Sequence, residues 1–327
     1  MRRRGAILIA TALCVPCTAR SQPTLWQRAT DPRAEARFKA RVYAEQLFNQ
    51  VTDPRVEPDL QRDLSADGAA LLQLDGTRQD ATSRVLLGRL LLETRSGREV
   101  QATALIESGV FLLPDSEFKR ASLFDAGLGA ILSGELQHAE RSFSVALSLA
   151  WDPDDRATLH RNRAKARMLS GRLREAVGDF RAAVRLARNV DVMALSHFGL
   201  GVALERSGDY PEGMQEIARG VALRLPVPPY PSPSVLDLPG LRWFPEYDLH
   251  YYRALGAMVE AAQADSRELE QEQYEAALED WEQYLPAAEA AKDRFLPNAE
   301  RSKKRCLDTL LRLKKAATAA PSSSRVR

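Results

Sequence analysis

Cysteine is rare in this 327-residue chain, with three copies in all. Cys14 and Cys17 lie near the start, which leaves Cys306 alone in the rest. A disulfide framework is therefore excluded, as is a metal site built on several thiolates, and stability must come from packing. An excess of either charge is also missing: 46 lysines and arginines face 44 aspartates and glutamates. Nucleic-acid binding needs a concentrated positive surface, and this balance supplies none, so no nucleic-acid partner is expected. The chain has no glycine-rich phosphate loop, no G-x-S-x-G elbow and no H-E-x-x-H helix, which disfavours an enzyme and leaves no cofactor to expect. β-Branched residues are few while arginine and leucine abound, a mix that favours helix over sheet. The hydrophobic share of 45% is enough for a large buried core, so general disorder is excluded.

The N-terminus carries an apolar stretch of ten residues, Ala6 to Val15, behind the basic stretch Met1-Arg2-Arg3-Arg4-Gly5. A small-residue exit follows at Cys17-Thr18-Ala19 or Ala19-Arg20-Ser21. This is the layout of a secretory signal peptide over 1–21, too short to remain as a bilayer-spanning anchor. Lipoprotein processing is disfavoured because Leu13 and Pro16, not small residues, precede the two cysteines. Loss of Arg2, Arg3 and Arg4 would bring the 46 basic residues to about 43 against 44 acidic ones, close to neutrality. The expected location is the periplasm or cell envelope, with no transmembrane segment in the mature chain.

Beyond the leader the chain repeats. Gly97, Gly134, Gly171 and Gly208 stand 37 residues apart, and four further columns move with them. Ala102, Ala139, Ala176 and Gly213 follow first, then the large Ile106, Phe143, Phe180 and Ile217, then Gly109, Ala146, Ala183 and Gly220. Ahead of each glycine lie Leu90, Gly127, Ala164 and Gly201. Such a pattern predicts a helical hairpin repeated four times. Glycine takes positive φ without steric cost and ends the first helix. Small, large and small residues at i, i+4 and i+7 then share one face of the second. One hairpin cannot bury that face alone, so the units must stack.

These residues resemble the tetratricopeptide repeat family, most clearly through Gly127, Gly134, Ala139, Phe143 and Ala146, and again through Ala164, Gly171, Ala176, Phe180 and Ala183. The period of 37 exceeds the family's usual spacing of about 34. The closing proline is present as Pro114 and nearly so as Pro153, and is missing later. The resemblance covers about residues 84–224 and implies an all-α, right-handed α-solenoid. It also implies that first helices line a concave groove, through Ala121, Phe124, Leu128 and Ile131 in the second repeat. In the third repeat these are Thr158, Arg161, Lys165 and Met168, and in the fourth Leu195, Phe198, Val202 and Glu205. The expected groove is apolar with a basic spot at Arg161 and Lys165, suited to a protein or peptide partner with apolar anchors and an acidic residue. The alternative for Arg161 and Lys165 is a solvated charged face shared with Arg163 and Arg167. The family's clamp for a terminal carboxylate is not matched: Asn162 fits, but Phe124, Leu128, Leu195 and Gly199 stand where its other polar residues belong.

Around the array, residues 22–78 read as capping helices, with Phe38, Val42, Leu47 and Phe48 as the apolar stripe of a helix over Pro32 to Gln50 and a shorter helix over 58–74. Four repeats fill 79–225. Prolines at 226, 228, 229, 231, 233, 239 and 245 forbid continuous helix through 226–245. The aromatics there, Tyr230, Trp243 and Phe244, with Tyr247 just beyond, either fold over the groove and meet a partner or pack a stiff spacer onto the array. A fifth, elongated repeat plus a cap is expected over 246–317, with Gly256 in its first helix and Tyr274, Ala277, Trp281 and Tyr284 in its second. Leu307, Leu310 and Leu311 should face inward on the cap, and 318–327 should be a disordered tail. His160 and His197 share one repeat position, and with no carboxylate or cysteine seen in register they read as packing residues, not metal ligands. Asp152, Asp154 and Asp155 around Pro153 read as helix capping, not calcium ligation. The function expected is a non-catalytic scaffold of the bacterial cell envelope. An envelope-biogenesis module for outer-membrane or cell-wall machinery, and an enzyme with a site around 226–245, are the alternatives.

Overall fold

The computed structural model describes residues 32–319 apart from 52, 54, 73–79, 95–96, 224–233, 239–240 and 242. The leader expected over 1–21, the end of the tail, Tyr230 and all but one of the insert's prolines lie outside the described residues.

Thirteen α-helices and no strand occur among the described residues. A first pair, α1 (Pro32–Val51) and α2 (Pro58–Leu72), precedes four hairpins. These are α3 (Ala81–Glu93) with α4 (Glu99–Val110), α5 (Glu117–Leu132) with α6 (Leu136–Leu149), α7 (Pro153–Leu169) with α8 (Leu173–Leu186), and α9 (Val190–Ser207) with α10 (Tyr210–Ala222). A fifth hairpin, α11 (Asp248–Gln263) and α12 (Arg267–Ala290), and a last helix, α13 (Leu296–Ala319), complete the chain. Each helix packs on the next, which is the nearest-neighbour stacking of an α-solenoid. No helix among the described residues is long and apolar enough to cross a membrane.

The repeat columns explain the stacking. Gly97, Gly134, Gly171 and Gly208 have φ of +71°, +79°, +84° and +99°, a region other L residues enter only at a cost. Ala102, Ala139, Ala176, Ala146 and Ala183 are fully buried, with Ile106, Phe143, Phe180 and Ile217 between them. The fit is tight: a Cβ placed on Gly127 would come within 2.5 Å of the Phe143 ring. Only a bare backbone at Gly127 lets α5 close on α6, and a methyl there would force the aromatic out of its rotamer well.

The caps differ from expectation in their inward faces. In α1 the buried residues are Ala40, Ala44, Phe48 and Val51, whereas Phe38 is 58% exposed. In α13 they are Asn298 and then Ala299, Ser302, Cys306 and Leu310, the last four spaced by three or four, so Leu307 and Leu311 fall off the stripe into solvent at 40% and 54%. Thr318 and Ala319, expected in the tail, continue the helix. Cys306 donates to the Tyr274 carbonyl at 3.2 Å, and burial pushes its thiol up to about 12.

Candidate functional site

Helix α7 carries the charged residues that matter. Its start is fixed by Asp152, whose side chain accepts from the backbone N–H groups of Asp154 and Asp155, with Pro153 in the first turn. Asp154 in turn accepts from the N–H groups of Arg188 and Asn189, tying this turn to the next one along the array.

Four cations follow at alternate positions, Arg161, Arg163, Lys165 and Arg167, and the fold treats them as two pairs. Arg163 donates to both oxygens of Asp179, at 2.8 and 2.7 Å, and to Ser144 Oγ at 3.0 Å. Arg167 bridges Asp179 and Glu140 at 2.8 Å each. His160 Nδ1 reaches Asp179 at 2.9 Å. Burial pushes the Asp179 carboxyl up, but the hydrogen bonds from Arg163 and His160 and the charges of Arg163 and Arg167 outweigh it and hold it at about 2. These two arginines are structural.

Arg161 and Lys165, one turn apart, face the other way, into a cavity closed by the insert. No carboxylate among the described residues lies within 4.0 Å of either cation. Arg161 Nη1 is buried with no acceptor. Lys165 Nζ sits 5.2 Å from the centre of the Trp243 ring, which meets Tyr252 edge-on at 4.8 Å. Burial lowers Lys165 to about 8, with the Asp248 carboxylate opposing and the charges of Arg206 and Arg161 assisting. Burial likewise lowers Arg161 to about 10. The two cations line a half-open cavity of about 60 Å³, walled by Phe180, Leu195, Leu241, Trp243 and Tyr252.

The insert thus packs back onto the repeats. Val235 and Leu236 form a buried 3₁₀ turn against α9 and α11, Trp243 covers α7, and Phe244 packs on the apolar cluster of the first repeats. A wider cavity of about 460 Å³ opens beside it, between Leu92, Leu132 and the insert residues Leu241 and Trp243.

The expected groove residues divide accordingly. Phe124 and Leu128 are half-buried against the core of the first repeats, and Arg161 and Lys165 line the cavity under the insert. Ile131 is 3% exposed and belongs to the core of the first repeats. Met168, Phe198, Val202 and Glu205 are buried, Phe198 beside Gly256 of α11 and Glu205 against α11 and α13. Glu205 accepts from the Tyr251 hydroxyl and from Ser302 Oγ at 2.9 Å, and Asn298 donates to the Glu205 carbonyl at 3.1 Å. Beside it Arg206 is buried in an ion pair with Asp248 and lies over the rings of Tyr251 and Phe295. These residues bind α11 and α13 to the fourth repeat.

No protein-family model matches the sequence, and a search of curated proteins finds no match either. One solved structure, MamA MSR-1 C2, aligns at a TM-score of 0.44 and 17% identity, over 58% of this chain and 95% of that one. The fold itself is an α-solenoid of stacked helical hairpins.

Two features escaped the sequence reading. Carboxylates do recur in register: Asp179 and Glu216 are 37 residues apart, and each bonds the histidine 19 residues before it, His160 at 2.9 Å and His197 at 2.7 Å. Neither pair gains a third ligand, and no metal-holding cluster occurs among the described residues. A search for acidic residues at the repeat period would have found both. Tyr252, which props Trp243, has no repeat signature and was not singled out.

Proposed function

We propose that this chain is a non-catalytic scaffold of the bacterial cell envelope that holds a partner protein by a segment laid along the N-terminal part of the concave face. The observation that carries this reading is the cleft between the returning insert and the first helices of the repeats. Arg161 and Lys165 line it without a carboxylate partner, and Phe124 and Leu128 on the first helix of the preceding repeat are half-buried. Buried cations are normally paired, so a stretch of groove that stays unpaired is suited to an incoming chain. Trp243 and Phe244 turn toward the array, which favours the insert as part of the groove wall over the insert as a catalytic loop. The basic-then-apolar N-terminus supports export.

The test is a photo-crosslinking amino acid placed at Leu128 and, separately, at Glu279 on the exposed face of α12, in cells making the full chain. A discrete adduct from Leu128 alone supports the concave face. Adducts from Glu279 alone, or from neither position, overturn it. For the location, deletion of residues 1–21 should shift the protein from the envelope fraction to the cytoplasm, and an unchanged distribution would refute export by this segment.

A further inference from the structure

The chain neutralises its buried cations with care. Arg163 and Arg167 share Asp179 and Glu140, Arg206 has Asp248, and Arg89, a tenth exposed, has Asp125 at 2.6 Å. Arg161 and Lys165, half-buried, depart from this pattern on the same helix and line the same cavity; Arg84 and Arg156 also lack a carboxylate but donate to the Ser108 and Ala150 carbonyls. Leaving a buried guanidinium nitrogen without an acceptor costs free energy that a bound anion would return.

We infer that the cavity between Arg161, Lys165 and the insert's Trp243 is a binding site for a single carboxylate carried on an apolar stem. This inference rests on the concave face being the working surface. The size argues for one small group: about 60 Å³ is room for a few heavy atoms, on a measure where one water takes roughly 10–15 Å³. A nucleotide does not fit. The walls argue for the stem, since Phe180, Leu195, Leu241, Trp243 and Tyr252 supply most of the lining beside Arg161, Lys165 and Asn162. Guanidinium and ammonium side by side match a carboxylate's two oxygens, with Arg161 Nη1 as a ready donor. The carboxylate has two sources, an Asp or Glu side chain or the end of a chain. The site also differs from a clamp built on repeats alone, because one wall belongs to the insert and another to α11.

Proton coupling follows from the surroundings of Lys165. Arg161 on its own helix, Arg206 from α9 and Asp248 and Tyr252 from α11 are the ionisable groups that act on this corner, with the Trp243 ring as its lid. Burial has already brought the free ammonium down to about 8. A carboxylate beside it favours the charged form, so binding near pH 8 takes up a proton, and affinity falls as pH rises above that value.

The test uses the mature full chain and three capped tripeptides in titration calorimetry at pH 8, in two buffers of different ionisation enthalpy. Acetyl-Leu-Glu-Leu-amide carries a side-chain carboxylate, acetyl-Leu-Gln-Leu with a free end carries a terminal one, and acetyl-Leu-Gln-Leu-amide carries none. We expect at least one acid to bind ten-fold or more tightly than the neutral peptide, with a fraction of a proton taken up, and Arg161→Gln and Lys165→Met each to abolish that preference while keeping the wild-type helical spectrum. Which acid binds names the source. Equal binding of all three peptides, a preference that survives both substitutions, or binding of inorganic phosphate with no response to either acid would overturn the inference. An acid preference without a Leu128 adduct would leave this site standing and remove the scaffold reading. A Leu128 adduct without an acid preference would do the reverse.

Discussion

Replacing Lys165 by methionine should make the protein more stable, and the expected size can be worked from its surroundings. The ammonium titrates at 10.5 in an open chain and at about 8 here, mainly because burial disfavours the charged form. The folded value is the lower one, so the charge opposes folding. Below pH 8 both states are protonated and the penalty is complete, on the order of 3 kcal/mol at about 1.4 kcal/mol per pH unit. Between pH 8 and 10.5 the folded protein sheds the proton while the unfolded chain keeps it, so stability rises with pH through that window. By pH 10 roughly 1 kcal/mol of the penalty remains. Methionine keeps the stem and removes the charge, while the contact with the Trp243 ring is lost at a cost of about 1 kcal/mol.

The net gain for Lys165→Met at pH 7 is therefore about 2 kcal/mol, and it should disappear by pH 10. Paired urea unfolding curves of the two proteins at pH 7 and pH 10 measure it, and taking their difference cancels every other titrating group. A variant no more stable than the wild type at pH 7, or a gain of the same size at both pH values, would refute the reasoning. A stabilising substitution that also abolishes acid binding is the signature of a residue kept for function at the expense of stability.

Gly127→Ala should cost about 1–3 kcal/mol through the Phe143 ring and be partly rescued by Phe143→Leu. Gly134→Ala, with open space around it but φ of +79°, should cost about 1–2 kcal/mol with no such rescue. Denaturant midpoints of the three variants decide this. Asp179→Asn should cost about 2 kcal/mol near neutral pH, because the carboxyl is held at about 2. That stability is present above pH 4 and lost as pH falls toward 2, so the gap to wild type should close in acid unfolding curves. Asp248→Leu strands the buried Arg206 and should cost about 3–5 kcal/mol, whereas Arg206→Met with Asp248→Leu should cost less than the single change. A double variant weaker than the single one would contradict the pairing.

The array was legible in the sequence because its determinants are local and steric. A turn that needs φ near +80° wants glycine, and the residues that let two helices touch must be small wherever the chain repeats them. Those demands write columns at 37 residues that need no knowledge of distant contacts. The groove was legible only in part. Met168, Val202 and Glu205 sit at proper groove positions of their own repeats yet are buried, Glu205 against Tyr251 of α11 and Asn298 and Ser302 of α13. Repeat logic treats each unit as open on its concave side, and nothing in the third or fourth repeat announces what a later helix will cover.

The charges of α7 show where more could have been read. Arg161, Arg163, Lys165 and Arg167 look alike in the sequence, one solvated run at alternate positions. What separates them is phase against the following helix. A carboxylate recurs at Asp179 and Glu216, one repeat apart, and it faces the side of the preceding helix that carries His160 and Arg163 in one repeat and His197 in the next. Cations in that phase are neutralised by the repeat itself. Arg161 and Lys165 lie out of phase with it, 19 and 16 residues before Phe180 and Arg181, so no carboxylate from their own hairpin can reach them. In a solenoid, then, the charges to suspect of binding are those that miss the period of the opposite charge, a criterion of phase and not of local density.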